Sequence, residues 1–396
     1  MFKRNKESYK KYEAEKIEFP VYDRTPVEYE SRYAYDADKR CYYLKNAAKN
    51  NKAVIMCAGD LMCEPAMSKA MMCNGKCFFE RGFEEVRNVF MQSDFAMANL
   101  ETTVTSKVPY AHETHIIEGR YHCNAPVEYL DGLRYAGFDA FAQANNHNAD
   151  AGAEGILDTV KNVEEKGFMH TGLFTGEDDE RFLLVDINGI KTAFLSYTEH
   201  INRDLDKRIL NKLGQRVLVN RYSPEKLKRD VQAARSGGAE FILCYIHFNC
   251  KEYSHNVIDR QKNTAKEMAE AGVDCIMGSH AHALQPYDEI YTESGKRVPV
   301  VYSLGNFITS DNTSMITRKS IIYVAELEKE YGKVVIKQES CIPCRTVEGM
   351  RKLSYIVWPT PPEWTDNVER TILKQAEEEI LSVMGPKLTV YKPQTR

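Results

Sequence analysis

From residue 53 onward, short apolar runs alternate with amphipathic segments, and that alternation confines the chain to an α/β fold of strands with covering helices. Val54 to Cys57 reads as a buried strand, while Phe83, Val86 and Phe90 have the spacing of a helix face. Phe95 to Ala98 returns as a strand. A helix starting near Pro126 turns Val127, Leu130 and Leu133 to one side and stops at Gly137, where left-handed backbone carries little penalty. Asp139 to Ala142 is the next strand, and Ile156, Val160 and Val163 line a helix closed by Gly167. Thr192 to Tyr197 is again apolar and strand-like. Ser223 and Pro224 suit the cap and first turn of a helix that points Leu227, Val231 and Ala234 inward and ends at Gly237 and Gly238. The strand Phe241 to Ile246, a helix over Val257 to Ala271 and the strand Val273 to Met277 follow. Beyond them, Gln285 to Tyr291, Val298 to Tyr302, Ser320 to Leu327 and Lys333 to Glu339 look like strands joined by turns.

This body is expected to span residues 51–340. Residues 1–50 are rich in Lys, Glu and Tyr without a sustained apolar stripe, and read as an N-terminal extension packing on the body. Residues 341–396 read as a C-terminal extension with one amphipathic helix near Val368 to Val383, after the breakers Pro359, Pro361 and Pro362. The charged N-terminus has no apolar core of a signal peptide, and no run approaches the roughly 18 apolar residues of a membrane span, so a cytoplasmic protein is expected. A net charge of −4, from 53 basic and 57 acidic residues, offers no bulk field for nucleic acid. The 11 cysteines are odd in number and scattered through apolar runs. Cys73 with Cys77, and Cys341 with Cys344, each lack the second pair of a structural zinc site, so buried thiols are expected.

Asp60, Glu101, Asn145 to His147, His247, and His280 with His282 all follow the C-terminal end of an expected strand. Open α/β sheets bind ligands at that end, because the loops diverge there and leave a crevice. Each residue alone has an ordinary reading: Asp60 as a turn residue, Glu101 as a solvated acid, Asn145 and Asn146 as turn formers, His247 as a hydrogen-bonded strand end. Their shared placement argues against all of those holding at once. Carboxylate, amide oxygen and neutral imidazole together suit a borderline divalent ion such as manganese, zinc or iron. Six candidate ligands (Asp60, Glu101, Asn146, His247, His280, His282) fit a pair of ions better than one tetrahedral ion, although a single structural ion is the simpler alternative. In an extended segment His280 and His282 would point to the same side.

The segments AGDLM at 58 to 62, ANLETTV at 98 to 104, ANNHNADAG at 144 to 152, GSHAHALQP at 278 to 286 and YSLGNF at 302 to 307 resemble those of the CapA-type poly-gamma-glutamate capsule biosynthesis family, itself similar to calcineurin-like metallophosphatases. The resemblance implies a four-layer α/β/β/α sandwich with two metals at one sheet edge. It makes Asp60 a terminal carboxylate of the first metal and Glu101 the bridging one. Asn146, His247 and His280 would hold the second metal, His282 would return to the first, and His147 would assist as acid or base. Asn306 is expected to order the adjoining loop or touch substrate. Asn145, His200 and the loop residues His112, His115, Arg120 and His122 are further expected substrate contacts. Two departures stand out: Met62 occupies the position where metallophosphatases carry an imidazole two residues after the Asp, and His247 is followed by Phe248-Asn249 where the family has Trp-Gly. Many members also carry an N-terminal membrane anchor, which this chain is expected to lack. The implied activity is metal-dependent hydrolysis of a small molecule or polymer carrying phosphate or gamma-glutamyl groups; the alternative is a non-catalytic accessory component of capsular polymer synthesis.

Overall fold

Period-two burial along the central strands explains why the chain stacks in layers. In the strand Lys52–Leu61, Ile55 and Cys57 face the core shared by the two large sheets, while Met56 and Ala58 belong to a second core against helices. A strand buried on both faces must lie inside a sandwich. The computed structural model describes residues 30–73, 76–105, 123–176, 179–202, 218–310, 314–348, 355–359 and 370–392.

One sheet has eight strands in the order Tyr33–Asp36, Cys41–Leu44, Leu183–Ile187, Ile190–Thr198, Phe241–His247, Cys275–Ser279, Arg297–Leu304, Leu284–Tyr291. The other follows the order Met169–Thr171, Ala140–Ala142, Phe95–Leu100, Lys52–Leu61, Lys319–Glu330, Lys333–Glu348, Tyr355–Pro359, with Asn306–Ile308 and Thr389–Val390 attached at the side. Phe194, Leu243, Tyr245 and Met277 from the first sheet meet Ile55, Phe95, Met97 and Tyr323 from the second in the shared core. Outside the first sheet, Leu227, Val231 and Ala234 of helix Pro224–Ser236 and Met268 of helix Asp259–Glu270 pack on Ile242, Cys244 and Ile276. Outside the second, Phe83, Val86 and Phe90 join Tyr129, Leu130 and Leu133 of helix Glu128–Ala136 against Ala96, Ala98 and Phe141. The result is the expected four-layer α/β/β/α sandwich.

Local signals held where they were local. Ser223 Oγ accepts from the Lys226 N–H at 3.2 Å, with Pro224 in the first turn. Gly137 closes its helix at φ 106°. Differences arise where strands are short or interrupted. Within the expected N-terminal extension, Tyr33–Asp36 and Cys41–Leu44 form a hairpin at the edge of the eight-stranded sheet, with Tyr42 in register with Val185. The expected boundary at 341 falls inside the Lys333–Glu348 strand. Pro343 in this strand sits between the stretches that pair with Thr389–Val390 and with Tyr355–Pro359, where a missing N–H interrupts neither neighbour. Cys57, Cys244, Cys275, Cys341 and Cys344 are buried thiols, and burial pushes Cys57 up to about 12. Among the described residues, no helix is long and apolar enough to cross a membrane.

One connection positions everything that follows. After Arg297–Leu304 the chain leaves the first sheet, turns at Gly305 with φ 74°, and enters the second as Asn306–Ile308, beside Asp60. The Asp60 N–H donates to the Gly305 carbonyl at 3.0 Å, and a Cβ on Gly59 would stand 1.9 Å from that oxygen. Only glycine permits this approach. Gly59→Ala is therefore expected to lower stability by about 3 kcal/mol, the upper end of overpacking effects, in a denaturant titration. Gly176→Ala, where an added Cβ meets nothing within 4 Å, should stay within about 0.5 kcal/mol.

Candidate metal centre

Parallel pairing brings strand ends level, and the ligand-type residues follow from that register. Thr198, His247 and Ser279 stand side by side at the ends of three neighbouring strands of the first sheet. In the second, Asp60 pairs with Asn99 on one side and Asn306 on the other, and Glu101 follows directly after Leu100. The Gly305 crossing joins these two sets of ends. Asp60, Glu101, His247, His280 and His282 are thereby gathered into one site, and Asn146 follows Asn145, whose amide reaches Asn99; all six are at most 5% exposed.

The two carboxyl groups are tied by one amide. Asn99 Nδ2 donates to Asp60 Oδ1 at 2.8 Å and to Glu101 Oε2 at 3.1 Å. As carboxylates, Asp60 Oδ2 and Glu101 Oε1 accept from no donor among the described residues, and neither does Asn146 Oδ1. Burial raises both carboxyl groups; the Asp60 charge adds to this at Glu101, which stands well above its ordinary range, while the His282 ring offsets part of it at Asp60. Acids buried in this way need a proton or a cation nearby.

Imidazoles face these oxygens. His247 Nε2 is 3.5 Å and His282 Nε2 3.8 Å from Glu101 Oε1, and His282 Nδ1 is 3.7 Å from Asp60 Oδ2. Those separations exceed hydrogen bonds, but ligands about 2.1 Å from a shared tetrahedral ion lie about 3.4 Å apart. Glu101, His280 and His282 offer ligand atoms all within 4.8 Å of one another. Burial, then the neighbouring imidazoles, depress His247 and His280 well below 6.5, and burial first among its causes brings His200 to about 4, so these rings are neutral with a lone pair to offer. Outer partners orient the rings: His282 Nδ1 lies 2.9 Å from Asn306 Oδ1, and His247 Nδ1 lies 2.8 Å from Ser279 Oγ. The donor set fits a divalent ion.

His147 lies beside this group, its Nδ1 2.7 Å from Asp150 Oδ2 and its Nε2 3.4 Å from Asn202 Nδ2. Burial disfavours its charged form, yet the Asp150 charge and hydrogen bond outweigh that and raise its pKa. Asn202 Oδ1 also accepts from Asn146 Nδ2 at 3.0 Å, which leaves the Asn146 amide oxygen for other use.

Several expectations need correction. His280 and His282 do not lie on extended backbone: their φ values are 91° and 53°, and the HAH segment is bent rather than strand-like. Such conformations cost of order 1–3 kcal/mol each for a non-glycine residue, and they mark a site whose surroundings enforce them. Asn145, expected to contact substrate, is wholly buried with its amide committed inward: Nδ2 donates to Asn99 Oδ1 and to the Leu100 carbonyl, and Oδ1 accepts from the His147 N–H. Asn306 is likewise buried and serves His282. His200 is half-buried beside His280, with ring centroids 4.4 Å apart. His112, His115, Arg120 and His122 lie outside the described residues. Met62 is buried at 4% exposure and brings no nitrogen.

Sequence reasoning missed Asn99, Asp150, Ser279 and Asn202. The first three sit inside the motifs already singled out, Asn99 two residues before Glu101 on the same strand face, so a search for outer partners would have found them. Nothing local marks Asn202.

A family model described as "Bacterial capsule synthesis protein PGA_cap" matches residues 54–311, a stretch that contains every one of these side chains. The chain belongs to the PGA_cap family. Among curated relatives, "Capsule biosynthesis protein CapA" of Bacillus anthracis is 27% identical over 268 residues, covering 66% of this chain and 60% of that protein. "PGA biosynthesis protein CapA" of Bacillus subtilis (strain 168) is 27% identical over 249 residues, covering 62% of this chain and 61% of its own length. The chain thus spans about three fifths of the length of these relatives. A solved structure titled calcineurin-like phosphoesterase YfkN from Bacillus subtilis aligns over 84% of this chain and 98% of its own, with 14% identity and a TM-score of 0.45. Within the PGA_cap region, the Asn99 amide is the part whose loss should be felt at both carboxylates. Asn99→Ala is expected to weaken manganese or zinc binding by about 10- to 100-fold in calorimetric titration of metal-stripped protein.

Proposed function

We propose that this PGA_cap protein is a metal-dependent hydrolase acting on a phosphoester or a gamma-glutamyl amide in a capsular polymer or its precursor. The observation that carries this reading is the set of three buried, unsatisfied oxygens, Asp60 Oδ2, Glu101 Oε1 and Asn146 Oδ1, in a site shared with neutral imidazoles. The curated relatives named for capsule and PGA biosynthesis support the substrate class. Asp60, Glu101, Asn146, His247, His280 and His282 would hold divalent ions, two by their number and manganese, zinc or iron by their chemistry. Such ions supply Lewis acidity and lower the pKa of water.

The protein's own groups do the rest. His147 keeps a proton at Nδ1 against Asp150, which reserves Nε2 for proton exchange with the substrate's leaving group. Asp150 also accepts from the Cys123 N–H at 2.8 Å, so the backbone just before the strand Asn124–Ala125 is tied to the same acid. Near-complete burial of Glu101 and His247 keeps bulk water from screening charge that develops on the substrate. A second reading, an accessory protein that keeps an ion for binding alone, draws support from Met62, which leaves the Asp60 side with fewer donors.

Metal per chain and turnover on phosphomonoesters, phosphodiesters and gamma-glutamyl peptides, with manganese or zinc added, separate these readings. Hydrolysis of one class by metal-loaded protein is expected, and inactivity with every metal would favour the accessory role. His147→Ala should keep its metal content while losing about 10²- to 10⁴-fold in turnover. Loss of metal in that variant would make His147 a ligand instead.

A further inference from the structure

His200 has no role in the centre as described, yet three observations bind it there. Its ring lies 4.4 Å from that of His280 in an edge-on contact and 5.9 Å from that of His247, while His247 and His280 are 4.8 Å apart. Its Nδ1 is buried and makes no hydrogen bond among the described residues. Its backbone is held on both sides by one hydroxyl: the His200 N–H reaches Thr198 Oγ1 at 3.3 Å, and Thr198 Oγ1 donates to the His200 carbonyl at 2.6 Å.

Neighbouring contacts hold the residue in place. The Glu199 N–H extends the strand pairing by donating to the His247 carbonyl at 3.0 Å. The Glu199 side chain accepts from the Asn249 N–H at 2.7 Å and from Thr264 Oγ1 at 2.9 Å. Residues 199 and 200 are therefore locked to the strand that ends in His247. A buried ring nitrogen without a partner is unfavourable unless something binds it.

Three imidazoles that ligate one tetrahedral ion through bonds of about 2.1 Å place their ring centroids roughly 5 Å apart. The three separations observed here bracket that figure. Resting on the metal reading above, we propose that His200 is a third imidazole ligand beside His247 and His280. The centre is then lopsided. A nitrogen-rich site formed by His200, His247, His280 and Asn146 suits a borderline ion such as zinc, while Asp60, Glu101 and His282 make an oxygen-rich site that suits a harder one. The first fills tightly and the second weakly.

The test uses the full chain, stripped of metal and titrated with zinc against a competing chelator, with X-ray absorption recorded at one equivalent. Wild type should show three imidazoles around zinc. His200→Phe, which keeps a ring against His280, and His200→Ala, which does not, should both show two and bind at least about 10-fold more weakly, since even outer-shell partners are worth that much. Zinc held by His200→Phe as tightly as by wild type, with an unchanged spectrum, would mean that the ring only packs, and would overturn the proposal while leaving the metal reading intact. Wild-type protein that takes up no zinc, and no manganese or ferrous iron in parallel titrations, would overturn both.

Discussion

Asp60 and Glu101 are buried beside each other with a single amide, that of Asn99, reaching both. Two acids in such a place are costly as anions, and among the described residues no lysine or arginine hydrogen-bonds to either. It sets neutral imidazoles opposite them instead. That choice shapes the rest of the molecule, because an arrangement of acids and lone pairs is stable only around a shared cation or shared protons.

Holding these groups in place requires both sheets. The imidazoles come from one set of parallel strand ends and the carboxylates from the other, and the Leu304-Gly305-Asn306 crossing brings the two sets together. The same crossing gives Gly59 its close backbone neighbour and gives His282 the oxygen of Asn306. Strain at His280 and His282 is absorbed by this frame: the Tyr253 N–H donates to the Ala281 carbonyl at 2.8 Å, between the two bent residues. A site held so firmly is preorganised, so the hydrolysis proposed above would not have to supply the reorganisation.

Much of this was legible in the chain before its structure. Short apolar runs marked the central strands, and helical spacing at Leu227, Val231 and Ala234 marked a covering helix, because each of these patterns involves residues close in sequence. The hairpin at Tyr33–Asp36 and Cys41–Leu44 was not legible. Its strands alternate buried with more exposed positions over only four residues each, too few to distinguish them from loop. Asn145 was read as facing substrate and Asn306 as ordering the adjoining loop or touching substrate, and only burial and hydrogen bonding in the closed structure turned both inward.

The sequence by itself determined the layered α/β class and the donor atoms at the strand ends, since both depend on side-chain type and short-range spacing. Tertiary structure decided how those donors are shared out. The link from Asn99 to Asp60, the Asn202 partner of His147, and the approach of His200 to His280 all depend on contacts between distant segments. No local pattern specifies such contacts, because the burial that makes them matter exists only once the two sheets have closed on each other.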